Sequence, residues 1–161
     1  MTGASRARQG GAMIPLPPPM RRALDAAAEA ARAGEVPVGA VVMRGDSVIA
    51  VAANSPRALH DPTAHAEMLA IRAAAAALGD DRLQDCDLWV TLEPCAMCAG
   101  AIAHARLRRL FYAASDPKGG AVEHGPRLFA QPTCHHRPDV YPAIGEAEAA
   151  RLLRDFFAAR R

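Results

Sequence analysis

Two short runs in this 161-residue chain hold side chains that could act together on a metal ion. One is His65-Ala66-Glu67 and the other is Pro94-Cys95-Ala96-Met97-Cys98. Residues three apart on a helix share a face, so Cys95 and Cys98 can grip one ion. His65 would add a ring nitrogen from a neighbouring helix. That makes three protein ligands, one short of a closed tetrahedron. A structural zinc site is closed by protein, whereas a catalytic one leaves a position for water. Glu67 supplies what such a site lacks, because a carboxylate beside an activated water can take its proton and deliver it elsewhere. Zinc lowers the pKa of its water to about 7, so hydroxide is available at neutral pH. A spacing of two on a regular helix sends side chains to nearly opposite faces. His65 and Glu67 therefore meet only if His65 sits at the cap or first position. Both runs fall at expected helix starts, where the helix dipole favours thiolates and other anions.

The elements that must position these residues follow from apolar periodicity. Leu24, Ala27, Ala28 and Ala31 recur at helical spacing, with Gly34 as the stop. Residues 36–43 and 47–51 read as a hairpin joined by Arg44-Gly45-Asp46. A loop over 54–63 leads to a second helix over 64–78, capped by Thr63 and stopped by Gly79. Residues 87–92 form a third strand. Pro94 opens a short helix over 95–105, and 109–114 form a fourth strand. Residues 115–124 read as loop and 127–130 as a short helix. Val140-Tyr141 is a weak fifth strand. An amphipathic helix over 146–160 closes the chain, with Leu152, Leu153, Phe156 and Phe157 on its apolar side. Such alternation predicts an α/β, three-layer fold: a central five-stranded sheet flanked by helices.

Composition narrows the function classes. Hydrophobic residues make up 51% but aromatics only 4%, so the apolar content is largely small aliphatics, much of it alanine. That suits close-packed helices and argues against disorder. The net charge of +2 excludes a broad cationic coat for nucleic acid. Lys118 is the single lysine, every other basic residue being arginine. No apolar stretch approaches membrane-spanning length, so no membrane partner is expected. Residues 1–19 read as a flexible, proline-rich lead without a signal peptide's apolar core, and 20–161 as one domain. The expectation is a cytoplasmic protein, whose four cysteines serve metal binding or catalysis before disulfides.

The His-x-Glu and Pro-Cys-x-x-Cys pair resembles the signature of the cytidine deaminase-like zinc deaminases. Longer stretches resemble the bacterial tRNA adenosine deaminase family in particular. They are residues 35–41, Asn54, residues 60–67, residues 88–101, residues 116–121 and the terminal Phe156-Phe157-Ala158-Ala159-Arg160-Arg161. The resemblance spans about residues 20 to 161 and implies a cytidine deaminase-like fold with a mixed sheet. It implies one zinc per subunit on His65, Cys95 and Cys98, with Glu67 as proton shuttle. The implied reaction is hydrolytic conversion of the wobble adenosine to inosine, usually in arginine tRNA. Water attacks C6, Glu67 protonates N1 and ammonia leaves. Asn54 matches a residue that recognises the base, Ala66 and Pro94 would line its pocket, and Asp116 and Lys118 would flank the anticodon stem-loop. Phe157 is a candidate for stacking on a nucleotide. A homodimer is also implied. Residues 122–138 depart from the best-known members, and no lysine-rich tail follows Arg161.

Two alternatives remain at this level. One is a free nucleobase deaminase, for guanine or cytosine, from the same superfamily. The other is a noncatalytic RNA-binding protein with a structural zinc, whose fourth ligand would come from Cys86, Cys134, His104, His135 or His136. Cys134-His135-His136 looks like a second metal site, but a packed or RNA-facing loop is preferred. Cys86 reads as a core residue, His104 and His124 as solvated or capping. His60 is a candidate for shaping the pocket. Arg106, Arg108 and Arg109 read as a solvated face or a phosphate-contacting patch.

Overall fold

A computed structural model describes residues 15–161. The lead expected over 1–19 thus lies mostly outside the described residues. Its last part is not a lead: helix α1 runs Pro18–Arg32, starting two residues early. Prolines at the first two helical positions are preorganised in φ and lack only N–H groups that have no intrahelical partner there. Leu16 already packs against the core cluster formed by α1 and the sheet.

The elements then follow the expected order. Strands β1 (Gly39–Arg44) and β2 (Ser47–Ala53) form the hairpin, turning at Gly45 with φ +57°. A one-turn helix α2 (Pro56–Leu59) occupies part of the segment expected as loop. Helix α3 is Ala66–Leu78, β3 is Cys86–Leu92, and α4 is Ala96–Ala105. Strand β4 is Arg109–Ala114 and β5 is Asp139–Tyr141, with a 3-10 turn at Leu128–Ala130 between them. Helix α5 is Glu146–Ala158. The strands form one mixed sheet in the order β2-β1-β3-β4-β5. Strand β1 is antiparallel to both β2 and β3, while β3, β4 and β5 are parallel.

Alternation along the strands splits the interior into two layers. Ala40, Val42, Leu88, Val90, Leu110 and Tyr112 face α3 and α4. Val41, Met43, Trp89 and Ala113 face α1 and α5. Alanine content is what lets the helices lie close. Ala66, Ala70, Ala74 and Ala99 are buried against one face of the sheet, and Ala23 and Ala27 against the other. At Gly39 the approach is closest, since a Cβ there would collide with the Ala23 carbonyl oxygen.

The far end of the sheet holds a charge device. Asp87 is 3% exposed and accepts forked hydrogen bonds from two arginines. Arg108 reaches it at 3.1 and 3.0 Å and Arg109 at 3.0 and 2.6 Å. These arginines are thus bound to the sheet end and are not a free patch. Burial raises the Asp87 carboxyl, but the bonds from Arg109 and Arg108 outweigh it and hold the group below its ordinary value. A depressed folded pKa stabilises at pH above the unfolded value, about 4, and is lost as pH falls through the folded one. Asp87→Asn should therefore lower unfolding free energy by about 1.5–3 kcal/mol at pH 7. In urea titrations the gap from the parent should persist to about pH 5 and shrink below about pH 4.

Candidate active site

The loops that leave the carboxyl ends of β3 and β4, the end of β2 and the entry to β1 meet at one edge of the sheet. Open α/β sheets place ligands beyond the carboxyl ends of their strands. His65 is the N-cap of α3, with extended backbone (φ −69°, ψ 150°). Cys95 is the N-cap of α4, also extended (φ −72°, ψ 176°). The expected cap Thr63 instead pairs with Asp61, which accepts from its N–H at 2.8 Å and its hydroxyl at 2.7 Å. Because His65 is at the cap, Glu67 in the first turn can reach the same cavity despite a spacing of two.

The three expected ligands come together. Their ligand atoms all lie within 4.8 Å of one another. His65 Nδ1 is 3.6 Å from the sulfur of both Cys95 and Cys98. A tetrahedral ion with bonds of about 2.05 Å to nitrogen and 2.3 Å to sulfur sets that separation at about 3.6 Å. The residues present thus fit a tetrahedral ion favouring thiolate and imidazole. Among the described residues no other His, Cys, Asp or Glu joins the cluster. Cys86, Cys134, His104, His135 and His136 do not supply a fourth ligand. Cys86 is buried in the core, and His136 Nε2 donates to the Leu107 carbonyl at 2.6 Å. The Cys134 thiol donates to the His136 carbonyl at 3.2 Å. The Cys134-His135-His136 segment is a loop in which Cys134 and His136 are half-buried and His135 is exposed.

The two thiols differ. A hydrogen bond from Cys98, opposed by burial and helped by N–H groups at the helix start, holds Cys95 down to about 5. Donating that bond, together with burial, pushes the Cys98 thiol up. Glu67 is 4% exposed, and burial pushes its carboxyl up. A carboxyl held in this way in a cleft is the kind of group that serves as a general acid or base.

A cavity of about 310 Å³ lies over the cluster, lined by Val36, Val38, Asn54, His65, Glu67, Leu92, Glu93, Cys95, Asp116 and Gly119. It shares Val36, Leu92 and Asp116 with a second hollow of about 690 Å³, walled also by Lys118, Leu153, Phe157, Arg160 and Arg161. It shares Val36 and Asn54 with a third of about 370 Å³, beside Arg57, Phe156, Phe157 and Arg160. Asn54 and Asp116 therefore stand at the mouth, and Lys118 and Phe157 just beyond. Ala66 and Pro94 are buried beneath and are not lining side chains. His60 is exposed with φ 50° and lies off the cavity. Phe156 is buried and Phe157 is 48% exposed, so the pair splits between core and groove.

A family model for MafB19-like deaminases matches residues 18–161. The tRNA-specific adenosine deaminase of Agrobacterium fabrum is 56% identical over 142 residues, covering 88% of this chain and 93% of its own length. The chain belongs to the tRNA-specific adenosine deaminase family. Its fold is the cytidine deaminase-like one. A solved structure from a study of A-to-I editing by wobble-position tRNA deaminases is 56% identical with a TM-score of 0.83, covering 84% of this chain and 98% of its own. A guanine deaminase from Bacillus subtilis is more distant: 36% identity and a TM-score of 0.61, over 88% of this chain and 91% of its own.

Sequence reasoning missed three members of the site. Glu35 and Glu93 are buried carboxylates whose partners are backbone N–H groups, and His124 is bound to Glu93. The resembling stretches 35–41 and 88–101, which include Glu35 and Glu93, were the signal that could have found the two carboxylates.

The thiol pair gives a test of the metal centre. Metal ligation requires both sulfurs as thiolates, and in the metal-free chain Cys95 is held low while its bond to Cys95 and burial push Cys98 up. Adding zinc to the metal-free chain at pH 7 should bind one ion and release at least one proton. Calorimetry in buffers of different ionisation heat reads that number. Cys98→Ser should bring zinc content well below one per chain.

Proposed function

We propose that the protein is a zinc-dependent tRNA adenosine deaminase that converts the wobble adenosine of an anticodon, that of arginine tRNA first among candidates, to inosine. The observation that carries this reading is the open run of hollows joined to the metal cavity and edged by Lys118, Arg57, Arg160 and Arg161. A free-base enzyme needs only the inner 310 Å³. An RNA strand needs room and cationic edges for its backbone beyond the flipped base. The similarity to wobble-position deaminases supports the same choice.

His65, Cys95 and Cys98 would hold the zinc, which when bound would supply a Lewis acid that makes water nucleophilic at neutral pH. The chain's own residues do the rest. Glu67 takes the proton of the attacking water, gives a proton to N1 of the adenine, and later serves the departing ammonia. Its burial keeps bulk water from competing for those protons. Asn54 offers both a donor and an acceptor to the base edge. Pro94 and Ala66, buried beneath the cavity, support the residues that line it. Asp116 and Lys118 meet the flanking nucleotides, and Phe157 offers a stacking face. Overall, adenosine and water give inosine and ammonia.

A homodimer in the cytoplasm belongs to this reading. Met97, Gly100 and Ala101 lie half-buried on one face of α4, where the small Gly100 and Ala101 permit close approach of a second copy. No helix among the described residues is long and apolar enough to cross a membrane.

Zinc-loaded protein incubated with arginine tRNA should yield inosine on digestion to nucleosides. Glu67→Ala should slow this about 10²–10⁴-fold while keeping one zinc per chain. Rapid turnover of free guanine or cytosine without inosine in tRNA would reject the reading, and undiminished inosine from Glu67→Ala would reject the shuttle.

A further inference from the structure

Glu93 follows the last residue of β3 and stands two before Cys95. Its side chain is fully buried, yet it touches no metal-ligand atom and has no part in the chemistry above. All its hydrogen-bond donors come from one loop, residues 116–124. Oε1 accepts from the N–H of Asp116 at 3.1 Å and lies 2.7 Å from Nδ1 of His124. Oε2 accepts from the N–H groups of Val122, Glu123 and His124 at 3.2, 3.1 and 3.2 Å. The neighbouring Pro94 carbonyl accepts from Ala121 N–H at 2.9 Å. Gly120 packs so closely that a Cβ would collide with the Glu93 carboxylate. Within the loop, Asp116 Oδ1 accepts from the N–H groups of Lys118 and Gly119 at 3.2 and 2.9 Å.

A buried carboxylate is tolerated only when its charge is well satisfied, and five donors from one loop do that here. The arrangement works in both directions. The loop makes Glu93 affordable as an anion, and the anion fixes the loop. The same loop brings Asp116 and Gly119 to the metal cavity and Lys118 to the adjoining groove.

We propose that Glu93 is a positioning residue for the nucleic-acid substrate: it ties the loop bearing Asp116 and Lys118 to the turn bearing Cys95, so that strand contacts and metal keep one register. The substrate part rests on the function proposed above; the tie itself does not. Gln at this position keeps the shape but turns an amide N–H₂ toward N–H donors. The loop then loosens while His65, Cys95 and Cys98 are untouched. His124→Ala leaves the four backbone donors in place and has a smaller effect.

The test compares the zinc-loaded parent with Glu93→Gln, His124→Ala and Gly120→Ala. Hydrogen exchange reads the tie without any substrate. In Glu93→Gln, amides of Asp116, Val122, Glu123 and His124 should exchange at least about tenfold faster, those of α3 and β3 being unchanged. Retained protection overturns the tie. On tRNA, Glu93→Gln and Gly120→Ala should raise KM about tenfold or more, with kcat within about threefold and one zinc per chain. Combined with Lys118→Ala, Glu93→Gln should add less than its own KM penalty, because it acts through the loop that carries Lys118. A merely structural role would lower kcat with the active fraction at unchanged KM, and that result, or full additivity, overturns the substrate role. If the parent forms no inosine from tRNA, the proposed function fails, and the exchange result still decides the tie.

Discussion

The amide ends of α3 and α4 converge on one point, where the capping residues His65 and Cys95 bring a ring nitrogen and a sulfur to 3.6 Å. Two helix starts so close would repel through their dipoles unless negative charge lay between them. Cys95, whose thiol is held down to about 5, supplies it as a thiolate. Much of the rest of the chain follows from holding these ends together. The helices must lie on the same face of one sheet, side by side, and their contact surfaces must be thin. Ala66, Ala70, Ala74, Ala99 and Ala103 provide that thinness, which is why a composition rich in small aliphatics serves this site. The parallel pairing of β3 and β4 then puts both following turns at the same sheet edge.

Periodicity revealed most of this architecture, because each element is single-purpose. The strands are dense apolar runs, and α1 and α5 are clearly amphipathic. The hairpin turn needs the left-handed conformation that Gly45 supplies. The boundaries shifted where local rules compete. Pro18 and Pro19 look like an extended lead but are equally suited to a helix start. Thr63 looks like a cap, yet its hydroxyl is taken by Asp61, and His65 caps instead. Helix α2, one turn long, has no apolar face to give a pattern.

The metal cluster was legible for a different reason. Ligand spacing on helix starts is a local property, and chemistry restricts which residue types can serve. Glu35 and Glu93 were invisible because their meaning is not local. In the sequence each is an acidic residue beside a strand. Only folding shows that Glu35 is 4% exposed and accepts from Arg57 N–H at 2.9 Å, or that Glu93 gathers residues 116–124. Apart from the His124 ring on Glu93, their partners are backbone amides, which carry no sequence identity. His124 lies 31 residues from its partner and looked solvated for the same reason. The side chains of Arg108 and Arg109 are partly exposed, as a solvated face would be, but what the sequence did not show is that both bind one buried Asp87.

The basic residues therefore divide by position, and that division bears on how a chain of net charge +2 could engage a polyanion. Arg108 and Arg109 are neutralised in part at the far end of the sheet, and Arg21 is engaged with Glu148 across α1 and α5. Lys118, Arg160 and Arg161 are gathered around the hollow beside the metal cavity, and Arg160 also lies flat on the Phe156 ring at 3.5 Å. Stacking of this kind holds a guanidinium in place without spending its charge on a carboxylate. Local potential, not total charge, governs attraction over a Debye length of about 8–10 Å. Among the residues lining that hollow the cations surround the Asp116 carboxylate, whose Oδ1 is occupied by its own loop's amides. Carboxylates that would weaken the field are instead buried and saturated, as Glu93 is, so the site keeps its anionic anchors inside and its cations at the rim.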